Sequence, residues 1–518
     1  MKQGLIVSID CGTQSARALL FDCRGSLVAK GKAEFEPYFS TQPGWAEQDP
    51  EVYFDAICKA CHDLASSAPD DWGRIVGVVL TTQRDTCVVV DENGNVLRPA
   101  MLWLDQRMAE CNKPYPFIYR LAFGAVGMLE TAELTRKKCK SQWIRENEPD
   151  IWDKMDKFLL LSGWLNYKLT GNMADSVANQ IGHVPFDYKH KRWPVSKLDY
   201  RWYMSGLSRR HLPQLVRPAQ VIGTITPEAA EATGLPVGTP VYAGGSDKGC
   251  ETLGTGCLNP TSACISLGTT ATLQITTEKY MEPIKFMPPY PAVVPGHFNP
   301  EVQIYRGYWM INWFKQEFGY REVLIAEQRG VAPEVILNEL LHETPPGCMG
   351  LMLQPYWGAG LRMPEARGAV IGFGDIHTRA HLYRSIIEGV AYALRDAADK
   401  VEKVSGTKIE RIMISGGGAQ TDSICQITAD VFNKPVLRGE TYEGSGLGAA
   451  IIGFCGAGYY SSFDDAVANM VHYEARFQPD PPTAKTYDQL YKCVYKKMYS
   501  RLKPLYEEMR AITGYPES

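Results

Sequence analysis

The chain has 518 residues, of which 45% are apolar and 22% charged, and its 54 lysines and arginines against 58 aspartates and glutamates leave a formal charge of −4. At roughly 150 residues per domain, this length predicts three ordinary domains or two large ones, with enough chain to bury sizeable cores. Apolar content and balanced charge exclude extensive disorder, and the lack of any basic surplus argues against nucleic acid as a partner.

The opening MKQGLIVSIDCGTQ carries Asp10 inside its apolar run, unlike a secretory signal. No later stretch approaches about eighteen uninterrupted apolar residues, so a cytoplasmic protein with no membrane partner is expected. The 14 cysteines are spread along the chain and read as small buried hydrophobes of a reducing compartment. Gly4 to Asp10 predicts a strand, Ala18 to Asp22 a second and Ser26 to Lys32 a third, with Arg24-Gly25 as turn chemistry between the last two. Such a meander differs from a Walker P-loop, which needs a helix directly after its glycines.

PEVYFDAICKACHDLASS places Val52, Ala56, Ile57, Ala60 and Leu64 at the spacing of an amphipathic helix. Cys58 to His62 within it fits the C-x-x-C-H haem-attachment pattern, but no second C-x-x-C follows to complete four zinc ligands, and the core-helix reading is preferred. Ile75 to Leu80 and Thr86 to Val90 predict strands, the latter followed by the hairpin-turn signal Asp91-Glu92-Asn93-Gly94. LSGWLNYKLTG predicts a helix capped by its glycine. Ala263 to Thr276 repeats the strand-turn-strand unit around Gly268-Thr269-Thr270, which predicts two α/β domains of related fold, 1–255 and 256–518. HLYRSIIEGVAYALRDAADKVEKVSG predicts a long helix ended by Gly406, and the strand-like residues 409–415 run into Gly416-Gly417-Gly418. Pro283 to Pro295 and Pro479 to Pro482 predict surface loops, and from about residue 486 a tyrosine-rich amphipathic pattern predicts core-packed helix.

Three glycine turns, each after an apolar strand, are the informative set: Asp10-x-Gly12-Thr13, Gly268-Thr269-Thr270 and Gly416-Gly417-Gly418. Each alone is only a tight connection. Together, their N–H groups and hydroxyls can surround a polyphosphate, and a strand-end acid can hold the accompanying metal.

These segments carry a resemblance to the FGGY family of carbohydrate and polyol kinases, within the actin-like ATPase superfamily. GLIVSIDCGTQSARALLFD and ISLGTTATL resemble the family's two phosphate segments. GWAEQDPEVYF resembles a segment of glycerol kinases and their relatives. AGGSDKGCETLGTG resembles the stretch with the catalytic aspartate, ISGGGAQTDSICQITADVF the adenosine segment and EGSGLGAAIIG the connecting helix. Gly368 to Glu388 follows the family's second signature nearly position for position, Phe373 standing where an aliphatic residue is usual. KKCKSQWIREN keeps Lys140, Trp143 and Asn147 of the first signature but has Ser141 where a large apolar residue is expected.

The resemblance implies two actin-like (ribonuclease H-like) α/β domains with a nucleotide and sugar cleft between them, a homodimer as in many members, and phosphorylation of a sugar or polyol hydroxyl by ATP with Mg2+. Asp247 falls on the catalytic aspartate and would act as general base, the alternative being a helix N-cap at Ser246 or Asp247. Asp10 would sit near the magnesium, or simply end a strand. Thr13, Gln14 and Ser15 would line the β- and γ-phosphates, with Arg17 as a charge clamp or a solvated strand residue. Gly268, Thr269 and Thr270 would close from the second domain, and Gly416, Gly417, Gly418 and Ala419 would bear the adenosine.

Gln83, Arg84 and Asp85 stand where glycerol kinases carry Gln-Arg-Glu and xylulose kinases Met-His. With Trp103 and Asp105-Gln106-Arg107 they would wall the sugar pocket, a structural ion pair being the alternative for Arg84 and Asp85. YWGAGLRMPEARG resembles the ketose kinases instead. A ketopentose such as xylulose or ribulose and a tetritol or pentitol are therefore admissible, with glycerol kinase as an alternative. An actin-like ATPase switch without a sugar substrate and a haem protein built on Cys58 to His62 are the competing classes.

Overall fold

The computed structural model describes residues 4–515, apart from 359–362 and 364, so part of YWGAGLRMPEARG lies outside the described residues. Three short runs at the start form the expected meander: β1 (Leu5–Cys11), β2 (Ser15–Phe21) and β3 (Leu27–Glu34) pair antiparallel. β1 and β2 are buried almost throughout, while β3 alternates between buried and exposed residues, as an edge strand does. β4 (Ile75–Thr82) lies parallel beside β1. β5 (Val221–Thr224) and β6 (Pro240–Ser246) extend the sheet, β6 parallel to β4 and β5 antiparallel at the far edge. The order is β5-β6-β4-β1-β2-β3.

A second sheet repeats this plan. β7 (Ser262–Leu267), β8 (Ala271–Gln274) and β9 (Glu301–Ile304) form an antiparallel meander, β10 (Arg411–Ser415) and β11 (Val436–Gly439) run parallel from β7, and β12 (Tyr473–Phe477) closes the edge antiparallel. The order β9-β8-β7-β10-β11-β12 matches the first sheet strand for strand and sense for sense, which places the turns at Gly12 and Gly268 at equivalent corners.

Helices pack on both sheets. α1 (Pro50–Ser67) is capped by Asp49 and buries Ile57, Ala60, Cys61 and Leu64. α2 (Leu161–Thr170) ends at Gly171 in the left-handed region. α3 (Asp247–Gly254) leaves β6, α4 (Arg379–Ser405) ends at left-handed Gly406, and α5 (Gly444–Gly456) follows β11. α3 and α5 touch backbone to backbone: a Cβ on Gly254 would lie 2.0 Å from the Gly444 carbonyl, and one on Gly448 1.9 Å from that of Cys250. α5 is apolar all round and crosses onto the first sheet, where Leu447, Ile451 and Phe454 share one core with Ile6, Leu19, Phe21 and Val79.

Three local expectations are modified. The turn at Asp91 forms, with Gly94 at φ +83, but the returning chain makes only a bridge between Val90 and Val96. The strand Cys87–Val90 pairs instead with Lys157–Leu160 and, at Cys87, with Met101. Pro481 and Pro482 open α6 (Pro481–Leu490), because proline's fixed φ suits a first helical turn, and Tyr290–Pro291 pairs with Phe298–Asn299 as a short ribbon inside the proline-rich stretch. The tyrosine stripe is core, with Tyr487, Tyr491 and Tyr495 buried between α6 and α7 (Lys496–Thr513) against α4. In the C-x-x-C-H segment Cys61 is wholly buried, burial pushes the Cys58 thiol to about 11, and His62 Nε2 lies 3.0 Å from the Ala232 carbonyl. Among the described residues no three His, Cys, Asp or Glu side chains converge on a metal position, and no helix is long and apolar enough to cross a membrane.

Candidate active site

The three glycine turns have different physical reasons for glycine. Gly12 and Gly268 have no positive φ, and a Cβ on either would meet nothing closer than 3.6 and 3.5 Å, so folding does not require glycine there. What remains is an open cradle at each of the two equivalent corners. Gly416 (φ +88) is required by the fold, since its Cβ would strike the Leu267 backbone at 2.9 Å, and a Cβ on Gly418 would strike the Tyr308 ring at 2.5 Å. Only Gly417 faces open space. Close packing against β7 therefore explains two of the three glycines that the sequence reading assigned to ligand approach. This turn borders a cavity of about 590 Å³ whose lining includes Ser415, Gly416, Ala419, Gln420, Arg438 and Glu443, room enough for a nucleoside.

At the first cradle, Thr13 Oγ1 donates to Gln83 Oε1 at 2.9 Å and accepts from Trp103 Nε1 at 3.2 Å, so the exposed indole reaches over the β1–β2 corner. At the second, the carbonyls of Gly268 and Thr269 accept from the N–H groups of Tyr308 and Trp309, and Thr270 Oγ1 donates to the Tyr305 carbonyl. Gln14 and Ser15 complete the first corner, Gly12 N–H donating to the Ser15 carbonyl.

Arg17 bridges two carboxylates, at 3.6 Å from Asp10 and 3.2 Å from Glu443. Burial raises the Asp10 carboxyl to about 7; Arg17 opposes the shift, and Asp247, Glu443 and Glu251 add to it. The cleft thus holds an excess of negative charge around Asp10 that a dication would relieve. A magnesium held mainly by phosphate oxygens and water needs only one or two protein carboxylates, so this donor set fits one.

Ser246, not Asp247, caps α3, its hydroxyl accepting from Gly249 N–H at 3.3 Å. Asp247 is therefore released from capping. It accepts from its neighbour's N–H, that of Lys248, at 2.7 Å, and lies 3.8 Å from Arg84 Nε. Burial raises its carboxyl above the ordinary value, Arg84 and then Lys248 holding the shift back. Lys248 Nζ donates to Glu251 at 2.8 Å and to Ser266 at 2.6 Å, tying the start of α3 to the end of β7 just ahead of Gly268.

Arg84 makes a bidentate pair with Glu301 and lies 4.9 Å over the Tyr290 ring. Asp85 forms the ion pair that was its alternative reading. Its left-handed backbone (φ 50) turns the carboxylate onto Lys140 at 3.0 Å and His183 Nδ1 at 2.9 Å. Burial alone would raise this carboxyl, but Lys140 and His183 hold it well below the usual range. Arg107 is likewise committed to structural partners: it pairs with Asp105 and Glu47 and is sandwiched between Trp45 and Trp143, at 3.8 and 4.7 Å from their ring centres. Ser141 is buried, its hydroxyl donating to the Ser205 carbonyl at 2.6 Å, a polar contact in place of apolar packing.

Residues 5–254 match the N-terminal domain of the FGGY family of carbohydrate kinases, and residues 263–457 match its C-terminal domain. The chain belongs to the FGGY family of carbohydrate kinases. This kinase is 30% identical over 501 residues to a xylulose kinase of Lactococcus lactis, covering 95% of this chain and 96% of that one. It is also 30% identical to YgcE, an uncharacterized sugar kinase of Escherichia coli, covering 100% and 99%. Among solved structures, a xylulose kinase of Rhodospirillum rubrum has a TM-score of 0.81 at 26% identity, covering 97% of this chain and 100% of that one. The fold is the two-domain actin-like α/β fold, and the chain is an ATP-dependent sugar kinase.

Several residues of the kinase's cleft were not singled out as site residues from the sequence. Lys140 and Glu443 lie inside segments that resemble the family, but their partners Asp85 and Arg17 are distant in sequence. Lys248 and Glu251 stand three positions apart just after Asp247, and that helical spacing signals a shared face for the two. Glu301, Tyr290 and His183 stand in no local motif, and only the tertiary fold gathers them.

Proposed function

We propose that this kinase transfers the γ-phosphoryl group of ATP to a hydroxyl of a small sugar or polyol, a ketopentose such as xylulose or ribulose or a tetritol or pentitol, working in the cytoplasm where ATP is supplied. The placement of Asp247 carries the reading. Freed from capping by Ser246, it lies between Arg84 and Lys248, whose ammonium reaches Ser266 ahead of the second cradle. Asp247 accepts the hydroxyl proton as the sugar oxygen attacks the γ-phosphorus.

Thr13, Gln14 and Ser15 from one meander and Gly268, Thr269 and Thr270 from the other hold the β- and γ-phosphates from two sides through N–H groups and hydroxyls. Arg17 meets the charge that develops on the transferred group. Gly416 to Ala419 carry the adenosine beside the 590 Å³ cavity. Asp10 would hold the magnesium, and when bound that ion neutralises charge on the phosphate oxygens. With the chain divided at residue 255, closure of the two halves excludes water from the cleft.

Because Asp85 is committed to Lys140 and His183, the pocket lacks the free carboxylate next to arginine that the glycerol-kinase pattern would present, which favours larger substrates over glycerol. The test is ATP consumption across glycerol, tetritols, pentitols, ketopentoses and hexoses, with products identified by mass. ATP turnover that no sugar stimulates would sink the proposal.

A further inference from the structure

Once Arg84 is paired with Glu301 and Asp85 with Lys140, one polar side chain beside them keeps a ring atom uncommitted. His183 is about one-third exposed, and among the described residues its Nε2 makes no hydrogen bond. The rest of the residue is pinned. Its N–H donates to Asp85 Oδ1 at 3.0 Å and its Nδ1 lies 2.9 Å from Asp85 Oδ2, the oxygen that Lys140 also approaches at 3.0 Å. Asp85 N–H donates to the Ile181 carbonyl at 3.2 Å, and the missing Cβ of Gly182 (φ +152) is what admits the carboxylate, since a methyl there would lie 2.4 Å from it.

The ionised state of Asp85 settles the tautomer. A carboxylate can only accept, so Nδ1 carries the proton and Nε2 is the ring atom left to meet a ligand hydroxyl, which can both donate and accept. The position is that of the sugar side of the cleft. Arg84 precedes Asp85 directly and lies 3.8 Å from Asp247, and its guanidinium covers Tyr290. Tyr290 meets Tyr188, whose hydroxyl lies 3.4 Å from the N–H of Gly182, the neighbour of His183. Tyr290 and Tyr188 thus connect Arg84, the neighbour of Asp247, to the segment that carries the imidazole.

Resting on the proposed sugar-kinase reading, we propose that His183 is a specificity-determining residue: its Nε2 makes a hydrogen bond with a substrate hydroxyl remote from the one phosphorylated, with Asp85 and Lys140 as the positioning residues that hold the ring. A residue held to Asp85 by both its backbone N–H and its Nδ1 loses little freedom on binding, so the contact discriminates effectively. It selects substrates that extend beyond Arg84, tetritols, pentitols and ketopentoses, over glycerol.

The experiment compares wild type with His183→Ala and His183→Gln, using glycerol, tetritols, pentitols, xylulose and ribulose, together with deoxy analogues of whichever sugar binds best. Both the steady-state constants and the calorimetric sugar affinity are read, the latter without any need for turnover. His183→Ala is expected to weaken that sugar by roughly tenfold, the worth of one such hydrogen bond, while leaving the KM for ATP unchanged. One deoxy analogue should bind wild type and His183→Ala alike, and His183→Gln, which can offer an acceptor, should recover part of the loss. The proposal is overturned if every deoxy analogue loses equally in both proteins, or if His183→Ala lowers kcat for all substrates with no change in sugar affinity, as a merely structural residue would. A wild-type protein that binds a sugar without phosphorylating it would remove the kinase reading, and the affinity series would still decide the role of His183.

Discussion

Arg84 and Glu301, 217 positions apart in the chain, meet in a bidentate pair with nitrogen to oxygen distances of 3.0 and 2.9 Å. Arg84 follows β4 of the first sheet and Glu301 opens β9 of the second, so the pair joins the two sheets beside Asp247. Glu301 is only 2% exposed at its side chain. Arg84→Ala leaves that carboxylate buried with the Gln303 amide but no cation beside it, and the expected loss of stability is about 3–5 kcal/mol, the usual effect of breaking a buried pair on one side. Replacing both partners, Arg84→Met with Glu301→Gln, is expected to cost less than Arg84→Ala alone. Denaturant unfolding of the three proteins measures this. In the enzyme assay the single substitution should raise the KM for the sugar and not that for ATP; the reverse pattern would move the sugar pocket elsewhere.

The glycines separate fold from ligand approach in the same way. Gly448→Ala places a methyl 1.9 Å from the Cys250 carbonyl and must push α5 off α3, the helix that begins with Asp247, so both melting temperature and turnover are expected to fall. Gly12→Ala and Gly417→Ala meet no atom closer than 3.6 Å. Their melting temperatures should stay near wild type while the KM for ATP rises, because the methyl occupies space that the nucleotide takes. An unchanged KM for ATP in both would remove these turns from the nucleotide site.

The same contrast explains what a reader of the sequence alone recovers. Buried runs and glycine turns are local, and they gave the two meanders, their equivalence and the long helix ended by Gly406. The family resemblance pointed to Asp247 because the segment around it is contiguous. For Asp85 the sequence left pocket wall and ion pair side by side, because its partners Lys140 and His183 come from segments 55 and 98 positions away and nothing in Gln83-Arg84-Asp85 records the left-handed backbone that turns the third side chain. The strand Cys87–Val90 failed as half of a hairpin for a related reason: its turn is encoded locally, but the chain with which it pairs is Lys157–Leu160.

On the proposed mechanism Asp247→Asn keeps volume and removes the proton acceptor. Turnover is expected to fall by about a hundredfold or more, the usual worth of a general base. Ser246 remains to cap α3 and the cradles are untouched, so calorimetric nucleotide affinity should be close to wild type. Near-normal turnover would exclude Asp247 as the base.

The Asp85 ion pair has a pH signature of its own. Lys140 and His183 hold the folded-state carboxyl well below its unfolded value of about 3.9. A carboxyl with a lowered folded pKa contributes its stabilisation fully above the unfolded value, and that contribution is lost as pH falls from about 4 through the lower folded value. Lys140→Met removes the main partner and leaves the Asp85 charge buried beside His183 alone. It is therefore expected to destabilise the protein by about 3–5 kcal/mol at neutral pH. The difference from wild type should stay level down to about pH 4 and shrink below it, as Asp85 takes up its proton more readily in the variant than in the wild type. Urea unfolding of both proteins across pH 7 to 3 reads this directly. A difference that grew toward acid would mean that Lys140 stabilises the fold through something other than the charge on Asp85.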